Sequence, residues 1–153
     1  MRLTAFTDYT LRTLMYLAIN RDKLATVHDI AELHDISQNH LTKVVHQLGL
    51  TGVIETVRGR NGGFRLNKEP ADINIGEVVR NSESDFFMAE CFDKDHDKCV
   101  YSPFCALKGV LSDATSAYLA ELDKVTLEQL IPKGGRGKRD AAAPVKIQFQ
   151  RKV

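Results

Sequence analysis

Residues 26–66 read TVHDIAELHDISQNHLTKVVHQLGLTGVIETVRGRNGGFRL, and the fold is decided there. Thr26 suits the N-cap of a short helix over 27–34, and Ser37 that of a second over 38–50. A hydroxyl at that position can accept a hydrogen bond from a first-turn N–H. Leu41, Val44, Val45 and Leu48 recur at the spacing of one helix face, and Ile36 with Leu41 makes a hydrophobic staple. Gly52 is placed to end the helix in the left-handed conformation. Only the short stretch His34–Ser37 joins the two helices, which makes the pair a helix-turn-helix. Val53–Val57 and Phe64–Leu66 are β-prone runs on either side of a Gly-rich, cationic turn, the signature of a hairpin. A hairpin directly after a helix-turn-helix is a wing.

Working outward, residues 7–20 read as a helix with Thr7 as N-cap, Asp8 in its first turn and Phe6 with Leu11 as a staple. Leu11, Leu14, Met15, Ala18 and Ile19 form its core-facing stripe. Residues 75–82 make a further helix, whereas 83–102 show no clean period. Ser102-Pro103 starts a long helix, with Ser as N-cap and Pro at the first helical position. Phe104, Leu107, Leu111, Ala114, Tyr118, Leu122 and Val125 then follow close to a heptad seam, which serves packing either against its own domain or against a partner helix. Thr126 and Gln129 form a capping box for a last short helix ended by Pro132. The expected fold is mainly α with a small β-hairpin wing. Residues 1–82 are the winged helix-turn-helix domain, 83–131 the cysteine-bearing loop and long helix, and 132–153 a basic, disordered tail.

The 153 residues are 43% hydrophobic and 27% charged, which suits a globular chain and no stretch long and apolar enough to span a bilayer. The segment Leu11–Ile19 lacks the flanks of a signal peptide, so a cytoplasmic protein is expected. The net charge of +1 hides an asymmetry: residues 1–70 carry +2, residues 71–131 carry −7 and residues 132–153 carry +6. The basic ends permit contact with nucleic acid without demanding it. No nucleophile–base arrangement is recognisable, so an enzyme is not expected.

The candidate DNA-reading residues are Ser37, Gln38, Asn39, His40, Thr42 and Lys43 at the start of the second helix of the motif, with His46 and Gln47 further along. Asn and Gln can pair bidentately with adenine, and Lys can reach guanine or phosphate. Read alone, these residues are a solvated polar face. The hairpin tip adds Arg58, Arg60 and Asn61, with Arg65 nearby. Such a tip can insert into a minor groove, where negative potential favours Arg.

Cys91, Cys99 and Cys105 are spaced C-x7-C-x5-C. This is neither the paired spacing of common zinc sites nor a ferredoxin spacing. Three readings stay open on spacing alone: an iron–sulfur cluster with one weaker fourth ligand, a zinc ion with His96 as fourth ligand, and a metal-free thiol switch. Cys105 is expected at the third position of the long helix, where the helix dipole favours thiolate. Asp93, Asp95, His96 and Asp97 are fourth-ligand candidates within the loop. Asp8, read by itself, is a helix-dipole residue.

Three features together resemble the NsrR/IscR family of winged-helix regulators. They are Leu3-Thr4-x-Phe6-Thr7-Asp8-Tyr9, then Arg58-Gly59-x-x-Gly62-Gly63-x-x-Leu66, then three cysteines before a long helix. The resemblance covers residues 1 to about 131. It implies a homodimer held by the long helix, palindromic double-stranded operator DNA as partner, and an iron–sulfur cluster as cofactor, 4Fe–4S in preference to 2Fe–2S. It implies Cys91, Cys99 and Cys105 as ligands. The IscR branch has a histidine shortly after the third cysteine, where this chain reads Ala106-Leu107-Lys108. On the other branch the matching aspartate, here Asp8, supplies the fourth ligand from the partner subunit, and nitric oxide is the effector that relieves repression. A zinc-stabilised regulator and an iron–sulfur carrier protein are the competing readings.

Overall fold

The computed structural model describes residues 2–132. Six helices and one hairpin follow in chain order: α1 (Ala5–Ile19), α2 (Val27–His34), α3 (Gln38–Leu50), β1 (Ile54–Val57), β2 (Gly63–Leu66), α4 (Ile75–Ser82), α5 (Ala106–Leu122) and α6 (Leu127–Leu130). The expected basic tail, from 133 on, lies outside the described residues.

Helix α1 starts earlier than the sequence suggests. Thr4, not Thr7, is its N-cap: the Thr4 side chain accepts the backbone N–H of Thr7 at 3.3 Å. Thr7 is itself fully buried, with no exposed area, inside the first turn. Phe6 and Leu11 therefore both lie within α1 and pack against the core, rather than acting as a staple across the cap. Helix α2 is closed by a full capping box, since Thr26 accepts from the N–H of Asp29 while the Asp29 carboxylate accepts from the N–H of Thr26. Ser37 stands at the N-cap of α3 but makes no side-chain capping bond.

The core lies where α1, α2, α3 and the hairpin meet. Leu14, Ile30, Leu41 and Val44 are wholly excluded from solvent, and Leu48, Ile54 and Phe64 are nearly so. Each such aliphatic side chain contributes roughly 1.5–3 kcal/mol. Strands β1 and β2 pair antiparallel with Ile54 opposite Leu66 and Glu55 opposite Arg65. A further residue extends this sheet. Ala25, just before α2, exchanges two backbone hydrogen bonds with Phe64, at 3.0 and 2.9 Å. Gly63 is required there, because a Cβ would stand 2.5 Å from the carbonyl oxygen of Ala25.

After α5 the chain returns to this core. Leu127 of α6 is fully buried, and its N–H bonds the carbonyl of Ile73. Asp123, at the end of α5, receives both guanidinium nitrogens of Arg80 from α4, at 2.6 and 2.5 Å. The Asp123 side chain lies over Gly76, where a Cβ would meet its Oδ1 at 2.0 Å. The C-terminal end of α5 is thereby fastened to α4.

The start of α5 also differs from expectation. Ser102-Pro103-Phe104 forms a separate 3-10 turn, and Cys105 is extended (φ −79°, ψ 106°) before α5 begins at Ala106. Cys105 is thus the N-cap of α5 and not its third residue. Along the seam, Leu111, Tyr118, Leu122 and Val125 are half-buried, while Phe104, Leu107 and Val110 are exposed by 75%, 61% and 62%. No residue of α5 is fully buried.

Candidate functional site

The first turn of α3 projects from the body. Ser37, Gln38, Asn39, His40, Thr42 and Lys43 are all exposed, while Leu41, Val44 and Leu48 hold the opposite face in the core. Three of these polar residues, Gln38, His40 and Thr42, have defined neighbours. Gln38 Nε2 lies 3.3 Å from His28 Nδ1 of α2, so the amide is oriented by a neighbouring helix. The Thr42 hydroxyl donates to the Gln38 carbonyl at 2.8 Å and thus uses its proton within the helix. The His40 ring sits 6.1 Å from that of Tyr9 in α1. Lys43 makes no ion pair among the described residues.

At the hairpin tip, Arg58, Arg60 and Asn61 are exposed, and neither arginine makes an ion pair among the described residues. Gly59 adopts φ +119°, a conformation that L side chains rarely take, and so sets the tip's shape. Arg65 is different: its Nε lies 2.5 Å from Glu55 Oε1 across the strand pair. The structure therefore separates two uncommitted tip cations from one that is neutralised on the strand. The helix-turn-helix and the wing are held in one body, because Ala25, just before α2, is bonded to Phe64 of β2. Sequence reasoning missed that bridge and the His28–Gln38 contact. A single bridging residue carries no periodicity, and nothing in the spacing of His28 and Gln38 announces their contact.

The three cysteines are free thiols. Cys91 is buried within a 3-10 turn (Glu90–Phe92), whereas Cys99 and Cys105 are half-buried. The loop between them is internally bonded. Asp97 accepts the backbone N–H of Cys99 at 3.1 Å and the hydroxyl of Ser102. The Ser102 hydroxyl, then the Cys99 amide and the nearby Lys108, hold the Asp97 carboxyl below the usual carboxylate range. His96 is exposed, and its Nδ1 pairs with Asp93 at 2.6 Å. Among the described residues no group of three or more His, Cys, Asp or Glu side chains stands close enough to hold one metal ion. The set of three cysteines and His96 is thus not assembled as a single-ion site. Asp8 lies apart in the first turn of α1, its carboxylate held by Arg12 at 2.8 and 3.0 Å. Nearby, burial and then the repulsion of Arg12 push the His34 imidazole below its ordinary value.

A helix-turn-helix whose second helix, α3, turns an exposed polar end outward beside a cationic wing defines a winged-helix, DNA-binding transcriptional regulator. The family model described as "Rrf2: Iron-dependent Transcriptional regulator" matches residues 3–133, and the chain belongs to this family. It is 54% identical over 132 residues to the HTH-type transcriptional regulator NsrR of Bacillus subtilis (strain 168), covering 86% of this chain and 90% of the relative. It is 51% identical to the regulator of the same name from Shouchella clausii (strain KSM-K16), covering 86% and 89%. Among solved structures, T. potens IscR superposes with a TM-score of 0.68 at 23% identity, over 85% of each chain. The oxidized form of Staphylococcus aureus CymR does so with a TM-score of 0.69 at 24% identity, over 88% of this chain and 98% of that one. These two likenesses bear on the fold. Among the described residues, no helix is long and apolar enough to cross a membrane.

Proposed function

We propose that the chain is a homodimeric repressor that carries an iron–sulfur cluster on Cys91, Cys99 and Cys105 and releases operator DNA in response to nitric oxide. The observation that carries this reading is the placement of three free thiols on one segment that ends at the N-cap of α5. The donor set suits the group. A cluster binds thiolates at separate irons, so it takes thiols that stand farther apart than one ion allows. Cys105 stands at the N-cap of α5, where no side chain caps the first-turn N–H groups, so the third thiol sits at the mouth of that helix. Asp8 of the partner subunit is the proposed fourth ligand, a harder oxygen donor that leaves one corner labile. When bound, the cluster supplies iron that nitric oxide can ligate. Both this effector and the role of Asp8 rest on the motif resemblance given above.

On the DNA side, Ser37, Gln38, Asn39, His40 and Thr42 face base edges and backbone in the major groove, Lys43 takes a phosphate, and Arg58, Arg60 and Asn61 reach the adjacent minor groove. The exposed Phe104, Leu107 and Val110 meet a second copy of the chain. The iron–sulfur carrier reading is set aside, because the relatives are transcriptional regulators.

The test is an absorption spectrum of anaerobically purified protein, followed by titration with nitric oxide and measurement of affinity for a duplex selected by the protein from a random pool. A visible iron–sulfur absorption, lost with a parallel fall in DNA affinity, is the expected result. A colourless protein that contains stoichiometric zinc, or DNA affinity indifferent to nitric oxide, would overturn the reading. Each of Cys91→Ala, Cys99→Ala and Cys105→Ala loses the chromophore while keeping its far-ultraviolet dichroism, since the winged helix has its own core. Full iron retention in any one of them removes that cysteine from the ligand set.

A further inference from the structure

Lys108 occupies the first turn of α5, half-buried, and touches both arms of the cysteine segment at once. Its Nζ lies 5.8 Å from the centre of the Phe92 ring, within the range of a cation–π contact. Phe92 directly follows the buried Cys91 in the same 3-10 turn. The same Nζ is 3.4 Å from the Ser102 Oγ, to which it donates. Ser102 in turn donates its hydroxyl to Asp97, and Asp97 accepts the amide N–H of Cys99 at 3.1 Å. The Ser102 amide closes the turn on the Cys99 carbonyl at 3.0 Å. One ammonium thus joins the arm of Cys91, through Phe92, to the arm of Cys99, through Ser102 and Asp97. It does so from the helix that Cys105 caps.

We propose that Lys108 is a positioning residue for the three-cysteine segment: its cation gathers the two thiol-bearing arms onto the start of α5 before any cluster is inserted. The function of that gathering rests on the iron–sulfur reading, whereas the gathering itself belongs to the apo chain. Three thiols on an unrestrained loop of this length would lose much of their chain entropy at assembly. Arms already drawn together lose less. The positive charge also stands where three thiolates bring negative charge. Lys108 also helps to hold the Asp97 carboxylate in its charged form, after the Ser102 hydroxyl and the Cys99 amide.

The experiment uses the full chain in its apo form, with Lys108→Met, Lys108→Arg and Ser102→Ala. Methionine keeps an apolar stem against Phe92 and removes the cation; arginine keeps both. Each protein is pulsed with iodoacetamide without oxygen, and labelling of each cysteine is followed by mass spectrometry. Lys108→Met is expected to label Cys91 faster by a factor of roughly 2–5, the value of one such exposed contact. Lys108→Arg restores the wild-type rate. Ser102→Ala speeds Cys99 but not Cys91, because it cuts only one arm. Equal Cys91 rates in wild type and Lys108→Met overturn the proposal. So does a Lys108→Arg protein that labels like Lys108→Met, which would show that charge is not what acts. Reconstitution with ferrous iron and sulfide is read separately: it should be slower in Lys108→Met and restored in Lys108→Arg. If no variant and no wild-type sample gains a chromophore while the labelling pattern holds, the cluster reading fails and the positioning role of Lys108 stands.

Discussion

Asp35 closes α2 in the left-handed region, with φ 53° and ψ 49°, and is the one non-glycine residue with positive φ among those described. An L residue there carries a backbone penalty of about 1–2 kcal/mol, least for a short polar side chain such as Asp or Asn. The turn of the helix-turn-helix depends on it, because this conformation lets the next residue, Ile36, dip into the core at 7% exposure. Asp35→Asn is therefore expected to unfold in urea within about 0.5 kcal/mol of wild type. Asp35→Val should lose about 1–2 kcal/mol, since a β-branched residue is a true outlier at positive φ. Equal midpoints for the two variants would show that the turn relaxes out of the left-handed form. The position was not legible as strained in the sequence, where Asp reads as an ordinary polar turn residue. Gly52, by contrast, was legible: it ends α3 at φ +69°, as its place after Thr51 suggests. The choice between Thr4 and Thr7 as cap of α1 turns on burial of Thr7, which two threonines three residues apart do not reveal.

At the scale of elements, α1, α2 and α3 were legible because each has an apolar period behind a capping-type residue, although the bonded cap of α1 is Thr4 and Ser37 makes no capping bond. The boundary of α5 was not. Ser102-Pro103 has the chemistry of a helix start, yet it opens a 3-10 turn that stops at the extended Cys105. The turn is bonded back to the cysteine loop, through the Ser102 N–H to the Cys99 carbonyl and the Ser102 hydroxyl to Asp97, contacts that no helical period announces. In the wing, sequence alone grouped Arg58, Arg60 and Arg65, whereas pairing divides them. Arg58→Ala and Arg60→Ala should each lower the slope of log K against log salt by about 0.9, the value of one phosphate contact. Arg65→Ala should leave the slope near wild type, because Glu55 already neutralises that charge at 2.5 Å. A slope change for Arg65→Ala as large as for the other two would mean that the pair opens on DNA. The exposed N-terminal half of α5 yields a second expectation. Leu107→Asp with Val110→Asp places two charges on a face that is 61% and 62% exposed in one chain. If a second copy covers this face, the variant sediments as a monomer at concentrations where wild type is a dimer. A variant that remains dimeric moves the interface elsewhere.

In the molecule as a whole, α5 has one fastened end and one end capped by a cysteine. Its C-terminus is clasped by Arg80 on Asp123 and is followed at once by Leu127 in the core of the reading head. Its N-cap is Cys105. If the cysteine segment senses an effector, α5 links it to the core of the winged helix, and the first helix offers a second route. Asp8 stands in the first turn of α1 beside Tyr9, whose ring lies 6.1 Å from that of His40 on α3. In the single chain Asp8 is held by Arg12, but the pair is exposed, at 42% and 45% of the two side chains. Such a pair contributes at most about 1 kcal/mol, so it can be exchanged for a stronger partner. If the carboxylate of Asp8 crosses to the partner's cysteine segment, its release should free α1 and, through Tyr9, alter the presentation of His40. Asp8→Ala is then expected to retain a cluster with a shifted spectrum while bringing the operator affinities of the cluster-loaded and apo forms closer together. Arg12→Ala should leave their ratio at or above the wild-type value, because it removes only the competitor for Asp8. Operator affinity measured for both forms of all three proteins decides the matter. An unchanged ratio in Asp8→Ala would make Asp8 a helix-dipole charge, worth about 0.3–1 kcal/mol to α1 and nothing to signalling. The fourth ligand would then have to come from His96 or from an acidic residue of the loop.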